Sequence, residues 1–138
     1  MIINALDGAY YVMNEFFDGP LPLIGDGAIS IAAAKDLAIV STLANWEPVR
    51  VHLAVDSVRV RLGDGWPTKV EKVVEFSGPV RVTDMEFDPN DSPIVDIKPG
   101  PYLVQVFARS VEYVAQRPKL QVDDVAMEQH LVFLSPFR

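Results

Sequence analysis

Apolar and polar residues alternate with a period of two along much of this chain. In "PVRVHLAV", Val49, Val51, Leu53 and Val55 alternate with Arg50, His52 and Ala54, the pattern of a strand with one face in a core and the other in water. "VRVRL" repeats it, with Val58, Val60 and Leu62 inward and Arg59 and Arg61 outward. The apolar parity switches at Asp56 and Ser57, as a two-residue hairpin or a bulge there requires. A hairpin would set His52 against Arg61 and Ala54 against Arg59. After the turn signal "LGDGWP", "KVEKVVEF" and "PVRV" form a second expected hairpin through Ser77 and Gly78, with Val70, Val74 and Phe76 inward and Glu71, Val73 and Glu75 outward.

Three earlier stretches, "AYYVMNEFF", "AISIAAA" and "LAIVSTL", are further strands, although the alanine triplet 32–34 also suits a short helical turn. In "KPGPYLVQVFARS", Pro99 and Gly100 make a corner that launches a strand apolar on both faces, which "SVEYVA" extends through Val111 and Tyr113. "RPKLQVDD" reads as a loop. The closing "MEQHLVFLSPF" is apolar on both faces from Leu131 to Leu134, as a strand in the middle of a packed sheet would be. No stretch holds the helical period long enough to define a helix. The expected fold is an all-β antiparallel sandwich of about eight to ten short strands. Residues 1–138 are taken as a single sandwich domain, since two halves of this length would each bury too little core.

Composition narrows the classes without changing that picture. With 49% hydrophobic and 22% charged residues the chain is an ordinary globular one. Its apolar runs are broken by Lys35 and Asp36 well short of the ~20 residues of a membrane helix, so no membrane association is expected. The N-terminus has no basic leader and meets Asp7 and Gly8 early, which points to the cytoplasm. There is no cysteine, so neither disulfides nor thiolate metal sites can contribute. The net charge of -7 is uneven: residues 1–45 hold five acids to one base and residues 84–138 nine to five, whereas residues 46–83 hold six bases to five acids. Such a surface disfavours direct nucleic-acid binding and attracts a basic protein.

The candidate chemistry is sparse. "DMEFDPND" carries Asp84, Glu86, Asp88, Asn90 and Asp91, but Pro89 and Val95 stand where a calcium loop of the EF-hand type needs glycine and glutamate. The parity of Val80 and Val82 would carry Asp84 and Glu86 inward, which unpaired carboxylates resist, so the strand is expected to end or bulge near Thr83. Asp84, Glu86, Asp88 and Asp91 are the candidate protein-binding residues, an acidic loop able to enter a basic cleft. Arg50, His52, Arg59 and Arg61 would form a basic stripe if the first hairpin exists, with Glu71 and Glu75 close enough to neutralise it. The two histidines, His52 and His130, do not group with other ligands in sequence. Glu128 and His130 share a strand face, a pattern more often met in a hydrogen bond than in a catalytic dyad. Tyr10, Tyr11, Phe16, Phe17, Trp46 and Trp66 suit either a core or an interface. No nucleophile elbow, zinc-protease motif or phosphate-binding glycine loop occurs. No catalytic residue, metal or cofactor is assigned.

"DGAYYVMNEFF", "GDGAISIAAAKDLAIVSTL", "KVEKVVEFSGPVRVTD", "IKPGPYLVQVFARS" and "EQHLVFLSPF", in this order, resemble the small bacterial proteins of the competence protein J family. The resemblance covers most of the chain and consists of strands with their turns. It implies a non-enzymatic all-β protein, in its named member an inhibitor that occupies the DNA-entry nuclease. Two functions follow as expectations. One is a protein-binding module acting on a nuclease with a basic cleft, in the manner of an inhibitor or immunity protein. The other is a sandwich that binds or processes a small molecule between its sheets, which requires an apolar pocket with polar groups such as His52 or His130.

Overall fold

The structure, a computed structural model, describes residues 2–4, 8–23, 29–43, 48–63, 65–88, 92–110 and 128–137. Among them are nine strands and no helix: β1 (Ile2–Asn4), β2 (Ala9–Met13), β3 (Ile31–Ala34), β4 (Leu37–Ser41), β5 (Pro48–Val55), β6 (Thr68–Phe76), β7 (Arg81–Thr83), β8 (Gly100–Ser110) and β9 (Glu128–Pro136). No described helix is long and apolar enough to cross a membrane. The strands form two sheets, a five-stranded one in the order β1-β5-β9-β8-β6 and a four-stranded one in the order β3-β4-β2-β7. "AISIAAA" is thus a strand. Its alanines pair with β4, Ala34 against Leu37, across a turn in which Asp36 takes a φ of 66°.

Most of the inward positions read from the sequence on β5 and β6 face the space between the sheets, whereas Val55, expected inward at the end of β5, is exposed. Val49 and Val51 of β5, Val74 and Phe76 of β6, Val104 and Val106 of β8 and Val132 and Leu134 of β9 meet Tyr10, Val12, Ala38, Val40 and Val82 from the other sheet in one apolar core. The four-stranded sheet is buried on its outer face as well. There Ala9, Tyr11, Met13, Leu37 and Ile39 form a second cluster, covered by Phe17 and Met85. This is why "AYYVM" and "LAIVS" are apolar at consecutive positions.

The pairing differs from the expected hairpins in two places. Residues 58–62 are not a strand, and β5 pairs instead with β1 and, in parallel, with β9, where Val51 stands beside His130. All other strand pairs are antiparallel. Since β5 and β6 run the same way with β9 and β8 between them, their connection must cross a face of the sheet. It crosses the outer one. Gln105, on the outward side of β8 yet fully buried, accepts the Val60 N–H (2.8 Å) and donates to the Val60 carbonyl (3.0 Å), as a paired strand would. Arg59 pairs with Glu71 at 2.8 Å, and the Arg109 guanidinium lies 4.2 Å from the centre of the Trp66 ring. The basic stripe is therefore not assembled, because Arg59 and Arg61 are not on a strand beside β5.

The second expected hairpin is a corner between sheets. β6 belongs to the five-stranded sheet beside β8, whereas β7 belongs to the other beside β2. The connector is pinned to the four-stranded sheet. Asp36 accepts the Ser77 N–H and hydroxyl, and the Asn14 amide donates to the Pro79 carbonyl at 2.7 Å. Polar groups at both turns of the small sheet outcompete a tight Ser-Gly turn. The extension of β8 through Val111 and Tyr113, the "RPKLQVDD" loop, the first GDG segment at 25–27 and Trp46 lie outside the described residues.

Candidate functional site

β7 ends at Thr83, where the sequence required a break, and the chain then closes on itself. Asp84 is 6% exposed, and its Oδ1 accepts the N–H groups of Glu86 (2.8 Å) and Asp88 (3.0 Å). The Asp84 N–H in turn donates to the Asp88 carbonyl, and the Phe87 N–H to the Asp84 carbonyl. An aspartate holding the backbone two residues on is the usual way such a turn is fixed. The inward-pointing carboxylate is thus satisfied locally. The turn is tight enough to put Phe87 at a φ of 64°, a conformation a bulky side chain adopts only when held there. The Phe87 N–H is bonded to the Asp84 carbonyl, and its half-exposed ring rests on Tyr11 with centroids 5.2 Å apart.

The four candidate residues therefore take different places. Asp84 shapes the turn from inside. Glu86 and Asp88 are exposed on it, and Asp91 lies outside the described residues. Among the described residues no three acidic or imidazole groups converge as metal ligands.

Beside the turn, on the outer face of the small sheet, is a cavity of about 560 Å³ lined by Met13, Glu15, Phe17, Arg81 and Phe87 among others. Arg81 is aligned with Met13 across the β2–β7 pair. Its Nη2 donates to the Ser92 carbonyl at 2.8 Å, while its Nε is buried and has no hydrogen-bond partner among the described residues. The period-two pattern alone does not single out this arginine. The available signal was a cation in "PVRV", on a strand whose neighbours are apolar on both faces.

The two histidines are on opposite faces of the large sheet. His52 is exposed on the outward side of β5, whereas His130 is buried in the interior. There Tyr10 Oη lies 2.8 Å from His130 Nδ1, and His130 Nε2 hydrogen-bonds to Glu128, whose other carboxylate oxygen accepts the Leu43 N–H. With the carboxylate as acceptor at Nε2, the ring presents Nδ1 as acceptor to the Tyr10 hydroxyl. Burial, and secondarily the Glu128 charge, pushes the Tyr10 phenol well above its usual range. The Tyr10 and His130 rings also meet edge to face, with centroids 5.4 Å apart. Tyr10 and His130 are at most 1% exposed, so the chain of bonds joins the two sheets. The end of the sandwich holds a cavity of about 320 Å³ bordered by Glu128, Leu43, Ile29 and Arg109.

No family model and no curated protein matches the chain. Among solved structures it is similar to ComJ from Bacillus subtilis, described as an inhibitor of the DNA degrading activity of NucA. The TM-score is 0.65 at 11% identity, over 99% of this chain and 94% of that one. It is also similar to the protein of crocagin biosynthetic gene J, with a TM-score of 0.54 at 14% identity, over 100% and 96% of the two chains. Identities of this size speak for the fold alone, and at that level the resemblance to competence protein J holds: the chain is an all-β sandwich of the kind seen in ComJ.

Proposed function

We propose that this chain is a non-enzymatic, cytoplasmic protein-binding module that antagonises a nuclease, with the acidic segment of residues 84–91 as its docking surface. The observation that carries the reading is the likeness to a nuclease inhibitor along nearly the whole chain. The geometry of the turn supports it. Glu86 and Asp88 are exposed on a loop whose shape is already fixed by Asp84 and by Phe87 on Tyr11, so little ordering is lost on binding. A rigid acidic projection on a protein of net charge -7 complements a cleft that binds phosphates and would exclude nucleic acid from it.

The test begins with affinity capture from the producing cell, followed by a DNA-degradation assay of any nuclease retained. The purified chain should slow that nuclease. A variant combining Glu86→Gln, Asp88→Asn and Asp91→Asn, with Asp84 kept to preserve the turn, should associate more slowly and with a weaker salt dependence. Full inhibition by this variant with an unchanged salt dependence removes the docking surface, and a captured nuclease indifferent to the chain removes the function.

A further inference from the structure

We propose that the cavity on the outer face of the small sheet is a binding site for a small carboxylate with an apolar body, and that Arg81 is its anion receptor. Three observations converge on it. First, Arg81 is held in place by the Ser92 carbonyl yet leaves a buried N–H without an acceptor, a state that few native donors are left in. Among the described residues no carboxylate lies within ion-pair distance of its guanidinium. An incoming carboxylate supplies the missing counter-charge, and the terminal nitrogens of a guanidinium that lines the cavity suit its geometry.

Second, part of the wall is apolar. Met13, Phe17 and Phe87 line the cavity, and its volume of about 560 Å³ falls within the range of small-molecule pockets. Phe87 is not a loose flap, since Tyr11 supports its ring. Third, Glu15 and Arg81 both border this cavity and also a second one of about 260 Å³ that adds Ile94 and Asp96. A cation and an anion at one apolar site match a ligand that carries an ammonium beside its carboxylate. The acidic protein repels a purely anionic ligand at long range, which favours the zwitterion further. The chemistry is that of a free apolar amino acid.

The site is tested on the full chain without any partner, so its outcome is independent of the docking reading. Titration of four probes, phenylalanine, N-acetylphenylalanine, 3-phenylpropanoate and phenethylamine, is followed by NMR at the Met13 methyl and the Phe17 and Phe87 rings. The three carboxylates should shift these signals, and phenethylamine should not. Arg81→Met should weaken binding about tenfold or more, and Arg81→Lys less, as expected for loss of a charge-assisted bond. Tighter binding of free phenylalanine than of its N-acetyl form supports the zwitterion with Glu15 as the second contact, and the reverse order overturns it. The proposal is overturned if phenethylamine binds as well as 3-phenylpropanoate, if no carboxylate binds, or if Arg81→Met keeps full affinity. Should Arg81→Met fail to fold, the contrast between those two probes on the natural chain decides alone.

Discussion

Tyr10, His130 and Glu128 place a phenol, an imidazole and a carboxylate in line across the interior, where each unmet hydrogen bond costs about 1–3 kcal/mol. The shared face of Glu128 and His130 was readable from their spacing on a strand. Their partner was not, because Tyr10 is 120 residues away and strand periodicity says nothing about which strands face one another. The raised phenol gives a pH signature. Below about pH 10 the phenol is protonated in folded and unfolded chains alike, and its contribution is fully present. Above it the unfolded chain releases the proton while the folded one keeps it, so stability falls by about 1.4 kcal/mol per pH unit until the folded pKa is passed. Tyr11, raised by burial too, adds to the slope. Urea unfolding of Tyr10→Phe should start about 1 kcal/mol lower, from loss of the bond to His130, and then decline less steeply in alkali. An unchanged alkaline slope would mean that the Tyr10 phenol ionises in the folded state as readily as in the unfolded one.

Strand existence and much of the facing were legible because they follow from a local period: Val49 and Val51 of β5 and Val74 and Phe76 of β6 are in the core as the alternation gave them, although Val55 is exposed. Pairing was not, because it is decided by polar side chains acting at a distance. Asp36 claims the Ser77 backbone and so turns an apparent hairpin into a corner between sheets. Gln105 does the same for the other one. The pattern of "PYLVQV" assigns it no role, yet its amide replaces the strand partner that Val60 lacks, and its Nε2 also donates to Glu71 at 3.1 Å. Among the described residues the crossing segment is thus tied to the sheet by Gln105, by the Arg59–Glu71 ion pair, by Arg109 on the Trp66 ring and by the Asp56 N–H, which donates to the Leu134 carbonyl. Gln105→Ala should remove the acceptor from the Val60 amide, and the expected cost is about 1–3 kcal/mol. Hydrogen exchange provides the local reading: the Val60 amide, protected in the natural chain, should exchange much faster in the variant while β8 amides stay protected. Equal protection of Val60 in both chains would show that the segment is held by other contacts.

Across the whole molecule, the strand that comes last in sequence lies at the centre of the large sheet. β9 pairs in parallel with β5 and antiparallel with β8, so the largest sheet has no continuous ladder until residues 128–136 are in place. The same strand contributes His130 to the bond across the sheets and Val132 and Leu134 to the core. Burial of those two apolar side chains alone is worth about 3–6 kcal/mol, comparable with the 5–15 kcal/mol by which a domain is usually stable. The edge strand β1, by contrast, adds three residues to one side of β5. A chain ending at residue 127 should therefore show no cooperative urea transition, whereas a chain lacking residues 1–4 should keep one with a reduced midpoint. Because β5 and β9 are far apart in sequence, the intact chain should also refold slowly, on the order of milliseconds to seconds. A cooperative transition in the chain ending at 127 would show that β5 and β8 can close the sheet without β9, and that the order read here, with the last strand as its keystone, does not govern folding.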